Sequence, residues 1–208
     1  AVKNLTTRYY MVARQSGIVD TPTNNWYHTR RATDATDKYH SSVTADLLYS
    51  AGWFDLREQP IVLTVPEDFR QYYSIQLMEM YSDIFGYIGT RQTGGKAGNY
   101  LLVGPDWNET LPADARFDGI IRSPTPTGMM LLRTVFAKRT KLEPAFRQQD
   151  RFKITSLAQF LDPASDNVAK QTRDVLAPVA AANTPLPFFA TLNRAMTENP
   201  PPAKDASI

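Results

Sequence analysis

The strongest constraint in this chain is the punctuation of residues 46–107, where short β-branched and aromatic runs are cut at close intervals by Pro, Gly and Asp. Runs this short suit strands, because helices in globular domains run for about 8–20 residues between stops. Leu47 to Phe54 reads as a strand, and Asp55 to Pro60 as a polar turn. Ile61 to Val65 is continuously apolar or β-branched and stops at Pro66, as a central strand does. Tyr72 to Glu79 alternates, with Tyr73, Ile75 and Leu77 on one face and Ser74 and Gln76 on the other. Ile84 to Thr90 and Asn99 to Gly104 are joined by RQTGGKAG, whose Gly94, Gly95 and Gly98 suit a hairpin that needs positive φ. Gly119 to Ser123 gives another short strand. The run from Met129 to Phe136 fits either a strand or a helix; Pro124 and Pro126, closing in before it, favour a strand.

These runs predict an all-β fold, an immunoglobulin-like antiparallel β-sandwich of about seven strands. Helical segments are expected at both ends. Val2, Leu5, Tyr9 and Val12 suit a short helix over residues 1–15. A long, mostly polar loop follows to residue 45, holding Trp26, Tyr27, His28, Arg30, Arg31 and His40. We read it as a surface loop pinned by one aromatic. In the last third, Leu142, Phe146, Gln149 and Phe152 share a helical face, and a helical run spans Asp166 to Ala182 with Pro178 interrupting it. Phe188, Phe189, Leu192 and Met196 fall at helical spacing before the proline-rich ENPPPAKDASI. The chain divides accordingly into an N-terminal helix and loop (1–45), a β-sandwich (46–140) and a helical arm with linker (141–208).

Composition excludes several chemistries. There is no cysteine, which removes disulfides, thiol nucleophiles and thiolate metal sites together. Two histidines, with no His-x-Glu or Asp-x-Asp-x-Asp pattern, supply no metal motif, and neither metal nor cofactor is expected. The net charge of +2 gives no general attraction to nucleic acid. No window approaches the ~18 apolar residues that span a bilayer. TGGKAGN lacks the spacing of a phosphate loop, and no Gly-x-Ser-x-Gly elbow is present. Sequons occur at Asn4 and Asn108.

The β-rich stretch resembles a bacterial family known as domain of unknown function 1254. The matching residues begin with Leu48-Tyr49-Ser50, Trp53, Asp55-Leu56, Pro60-Ile61-Val62-Leu63 and Val65-Pro66. Tyr72-Tyr73-Ser74, Gln76-Leu77, Tyr87-Ile88-Gly89-Thr90-Arg91 and Gly98-Asn99-Tyr100 continue the series. Val103-Gly104-Pro105, Trp107, Arg122-Ser123-Pro124-Thr125-Pro126 and Arg133-Thr134 close it. The resemblance runs from about residue 42 to 156. It implies an immunoglobulin-like sandwich, no established reaction, and a second β-rich domain after a linker like Pro200-Pro201-Pro202. On that basis the chain is expected to be a first domain only. The family tends to place Asn and an Asp-Thr pair before Leu-Tyr-Ser; this chain has Thr44-Ala45-Asp46-Leu47 and keeps only Asp46.

Candidate binding residues are Asp46, Tyr49, Arg91, Trp107, Arg122 and Arg133. The arginines adjoin strand-like runs, so burial requires a carboxylate or backbone partner. Asp46 is expected to accept hydrogen bonds from Arg91 or Arg133 at one end of the sandwich; the plainer reading is a structural ion pair or exposed arginines, and the rival is a pocket where Arg and Tyr hold a small anion or sugar. Phe188, Phe189, Leu192 and Met196 form the candidate partner interface, since burying all four represents roughly 6–12 kcal/mol as an upper estimate. Two functions remain open. The first is a non-catalytic binding or assembly module of an oligomeric or multidomain protein, with a second copy, subunit or domain as partner. The alternative is a hydrolase or lyase acting on a small or saccharide substrate, its site completed by another domain or subunit. A periplasmic or extracellular location suits a cysteine-free chain, with the cytoplasm as the alternative.

Overall fold

The computed structural model describes residues 22–34, 44–67, 71–171, 185–202 and 205. Nine strands lie among them: β1 (Tyr27–His28), β2 (Leu47–Asp55), β3 (Ile61–Val65), β4 (Tyr73–Glu79), β5 (Ile84–Gly89), β6 (Gly98–Val103), β7 (Gly119–Arg122), β8 (Thr127–Val135) and β9 (Lys153–Ser156). Three helices, α1 (Glu143–Gln149), α2 (Leu157–Leu161) and α3 (Pro187–Glu198), occupy the last third. The strands build a five-stranded sheet in the order β1-β2-β8-β4-β5 and a four-stranded sheet in the order β7-β6-β3-β9. Among the described residues the protein is therefore β-rich, with two sheets and few helices.

Strand alternation explains how the sheets meet. In β8 every second residue from Gly128 is buried, so Met130, Leu132 and Thr134 face inward while Met129, Leu131 and Arg133 face out. That period of two decides the ambiguous MMLLRTVF run in favour of a strand. Phe54, Ile75 and Leu132 of the first sheet share one apolar cluster with Ile61, Leu63 and Leu102 of the second. Gly128 is required by this packing, because a Cβ there would sit 2.3 Å from the Phe54 ring and 2.4 Å from the Met78 carbonyl oxygen. β3 is buried on both faces, as its uninterrupted apolar sequence predicts.

Several expectations need correction. No hairpin joins β5 to β6: β5 pairs with β4, and β6 pairs with β3 and β7, so RQTGGKAG carries the chain between sheets. Gly94 and Gly95 do supply positive φ, +70° and +68°, whereas Gly98 does not and opens β6; Thr93 closes the bend onto Gly89. Glycine reports a reversal, not the strand that follows it. The sandwich was expected to be antiparallel, yet β6 and β7 are parallel, so the four-stranded sheet is mixed. The short strands β1 and β9 went unforeseen. β1 sits in the polar loop, pinned by buried Trp26, and β9 adds to β3 from within the expected helical arm. Phe152, placed on a helical face by its spacing, lies beyond α1 and is buried in the main core. Residues 166–171 hold no helix; the rest of that expected run, the helix over 1–15, His40 and Asn4 lie outside the described residues.

Candidate functional site

The residues singled out from the sequence divide among separate places. Tyr49 and Arg133 are paired across β2 and β8, on the face turned away from the core. Tyr49 hydroxyl meets the backbone N–H and the hydroxyl of Thr44, both at 3.0 Å. Arg133 donates from Nη1 to Gln76 Oε1 at 2.8 Å. The expected pairing of Asp46 with Arg91 or Arg133 is not formed: Asp46 and Arg91 are exposed, and Arg133 takes Gln76 instead. Gln76 is opposite Leu131 on the neighbouring strand, so it is the diagonal, same-face neighbour of Arg133. Arg122 lies at the other sheet, where Nη1 donates to the Gly104 and Pro105 carbonyls at 2.9 Å each. Trp107, in the loop that Arg122 clamps, packs with Val62 and Leu101. Six candidates thus give no common pocket.

A denser polar arrangement lies at the inner side of β1. His28 pairs with Ser50 in register, and its Nδ1 is 2.7 Å from Ser50 Oγ. Gln149, at the end of α1, donates from Nε2 to Ser50 Oγ at 3.0 Å and to the Tyr49 carbonyl at 3.3 Å. Ser50 and Gln149 are fully buried. Burial first, then the Arg30 guanidinium, push the His28 imidazole down to about 4; Asp150 acts in the opposite sense and Lys153 in the same one. A serine beside a histidine has the outline of a nucleophile and its base. Here the serine oxygen has no access to a substrate and already holds two partners, so the arrangement ties elements together. Sequence reasoning passed over Ser50 and Gln149 as a pair. The available signal was Ser50 in the inward phase of β2, between Leu48 and Gly52, where a polar side chain needs a partner.

A charged crevice opens where β2 ends, lined by Asp55, Arg57, Glu58, Gln59 and Lys170. Asp55 is nearly buried and receives Arg57 Nε at 2.9 Å and Nη2 at 2.5 Å, while Arg57 Nη1 is 3.4 Å from Glu198. The hydrogen bond with Asp55 raises the Arg57 pKa further. Lys170 is paired with Glu58. Its charges are matched, so the crevice functions as a fastening between the β2–β3 turn, residues 167–170 and the end of α3. Among the described residues, no three His, Asp or Glu side chains form a metal-holding group. No helix among them is long and apolar enough to cross a membrane.

Helix α3 is attached by its less apolar side. Thr191 and Ala195 are buried, Ala195 against Met80 and Tyr81. Beyond the helix, Asn199 is fully buried; its Oδ1 accepts from Thr127 N–H at 3.1 Å and Thr127 Oγ1 at 2.7 Å, and its carbonyl accepts from Tyr81 hydroxyl at 2.9 Å. Residues 191, 195 and 199 continue one i, i+4 stripe. Phe188 and Phe189 stand clear of it, 58% and 56% exposed, their rings edge to face at 5.4 Å. Leu192 and Met196 are partly buried.

A family model described as "Protein of unknown function (DUF1254)" matches residues 23–156, more than half of the chain. The chain belongs to this family. The DUF1254 match opens just before β1 and closes with the last residue of β9, so it takes in both sheets whole and leaves α3 outside. The chain is similar to the VPA0106 protein from Vibrio parahaemolyticus, known from its crystal structure, with 18% identity and a TM-score of 0.68. That match covers 96% of this chain and 45% of the other, and it shows a shared fold. An uncharacterized protein from Burkholderia cenocepacia is 17% identical, with a TM-score of 0.42 over 93% of this chain and 46% of that one. The chain spans about half the length of these solved structures. No curated protein matches it.

Proposed function

We propose that this DUF1254 chain is a non-catalytic binding or assembly module of an oligomeric or multidomain bacterial protein. The observation that supports the reading is the orientation of α3. A helix free to choose its buried side gains most by covering its aromatics, at about 1.5–3 kcal/mol for each large side chain. Here Thr191, Ala195 and Asn199 are covered and the Phe188–Phe189 pair faces solvent. The hydrogen bonds of Asn199 fix that choice, and it leaves the aromatics available to a partner. Assembly rather than catalysis is also favoured by the scattering of Asp46, Tyr49 and the arginines. We further read the two-sheet body as an immunoglobulin-like sandwich, and its setting as the periplasm or the cell exterior on the strength of a cysteine-free sequence.

The test is the mass of the native protein in solution. Phe188→Ser with Phe189→Ser is expected to shift the assembly to a smaller species in light scattering. The melting temperature of the dissociated chain should stay within a few degrees, because both rings are already exposed. An unchanged mass, or a wild-type protein that is monomeric at every concentration and alone in its native extract, refutes the module reading.

A further inference from the structure

The hydrogen-bond directions around Ser50 can be assigned from their partners. The Tyr49 carbonyl can only accept, so the end of the Gln149 side chain turned toward β2 is its amide nitrogen. That nitrogen also donates to Ser50 Oγ. Ser50 has one hydrogen of its own, and its remaining close partner is His28 Nδ1 at 2.7 Å. The order that gives this hydrogen a partner is Gln149 N–H to Ser50 O, and Ser50 O–H to His28 Nδ1. In that order Nδ1 is an acceptor, with the imidazole neutral and its proton on Nε2.

The same three residues join three elements. His28 belongs to β1, which has only two residues and pairs with β2 alone. Ser50 belongs to β2, and Gln149 is the last residue of α1. The segment after β1 is fixed by Ala32, packed with Leu48 and Phe136, and by polar contacts. Thr29 Oγ1 donates to the Tyr49 carbonyl at 2.8 Å, and Arg30 donates to the Phe146 carbonyl at 3.1 Å and pairs with Asp150. The Arg30 guanidinium also lies 5.5 Å from the centre of the Phe146 ring. A two-residue strand provides little cohesion without such contacts.

We propose that the His28–Ser50–Gln149 chain is an acid-sensitive latch, which holds β1 and α1 against β2 while the imidazole is neutral and releases them when it gains a proton. An imidazolium turns Nδ1 into a donor, so the ring and the Gln149 amide both point hydrogens at one hydroxyl oxygen. Ser50 must then redirect its own hydrogen inside a fully buried site. Two of the three charged groups acting on the ring agree with this sense. Arg30 on its own segment and Lys153 at the start of β9 oppose the added charge, Asp150 beyond α1 favours it, and β2 offers the ring Ser50 alone.

The pH direction follows from proton uptake. His28 is lowered to about 4 in the folded chain from its ordinary 6.5, so between those values the unfolded chain binds more protons. Stability contributed by the neutral ring is complete above about pH 6.5 and declines as the pH falls toward 4. Nitrogen-detected NMR of the full chain is the primary test. We expect the His28 ring to carry its proton on Nε2 and to titrate at least one unit below 6.5. Amide exchange, corrected for its intrinsic pH dependence, should accelerate in β1 and α1 over the same range and stay unchanged in β4. A His28→Gln variant should lose most of that acid-dependent exchange. An Nδ1-protonated ring, an ordinary titration near 6.5, or exchange that rises equally in β4 overturns the latch, and the first two need no variant.

Discussion

The outer faces of the two sheets both carry apolar side chains but end in different states. Behind the four-stranded sheet, Val62, Leu101 and Val103 are fully buried beneath Leu157, Trp107, Phe117 and Phe160. Behind the five-stranded sheet, Tyr49, Ala51, Met129, Leu131 and Arg133 are only partly buried. The strands contribute, since Ser74, Gln76 and Arg133 share the outer face of the larger sheet, and the connections add to the difference. Parallel neighbours need a crossover, and the chain between β6 and β7 passes over the outer face, bringing Trp107, Leu111 and Phe117 with it. α2, starting immediately after β9, adds Leu157 and Phe160, and the Phe117 and Phe160 rings lie 5.1 Å apart. Antiparallel neighbours such as β4 and β5 need only a turn, so the five-stranded sheet acquires no such cover from them. A parallel pair thus gave the small sheet a second core.

Substitutions can break this contrast. The largest effect is expected for Leu101→Ala, a loss of about 2–5 kcal/mol in urea unfolding, because the side chain is fully enclosed on the outward side of β6. Leu131→Ala, at the matching outward position of β8, should cost less than about 1 kcal/mol in the same measurement. Equal losses at the two leucines would show that the outer faces are alike and remove the argument. The smallest effect is expected for Trp107→Phe. Its indole N–H is buried without a hydrogen-bond partner, so deleting it should leave the unfolding free energy within about 1 kcal/mol and on the stable side if the phenyl ring refills the space.

The sequence made the period-two elements plain and the long-range ones obscure. β2, β3, β4 and β8 follow their alternation or continuous apolar runs to within a residue or two, since side-chain burial is a local signal. β1 and β9 are too short to show a period, and they exist because β2 and β3 offer edges to pair with. The parallel register of β7 was hidden for the same reason: pairing depends on where a distant strand lies. Of the candidate residues, the cross-strand pairing of Tyr49 with Arg133 was not foreseen, and Asp46 was linked to an arginine from chemistry alone, without a register to test its reach. α3 was legible as a helix from Phe188, Phe189, Leu192 and Met196, whereas its docked side was not. Asn199 decides that side, and an asparagine beyond a helix end carries no sign in the sequence that it will be buried.

The pairing of β9 with β3 has a consequence during synthesis. Ile61 faces Ser156 and Thr64 faces Lys153, so an edge formed early waits for about ninety further residues to be translated. At ~5–20 residues per second that delay is on the order of ten seconds. Through it, the nascent chain carries an apolar, β-branched segment with at least one side of its backbone unpaired, since its other partner β6 also follows it in the chain. The free side is a template for joining a neighbouring polypeptide on the same message. A ribosome stalled before residue 153 would therefore release a sticky product, and chaperone occupancy should peak in that interval.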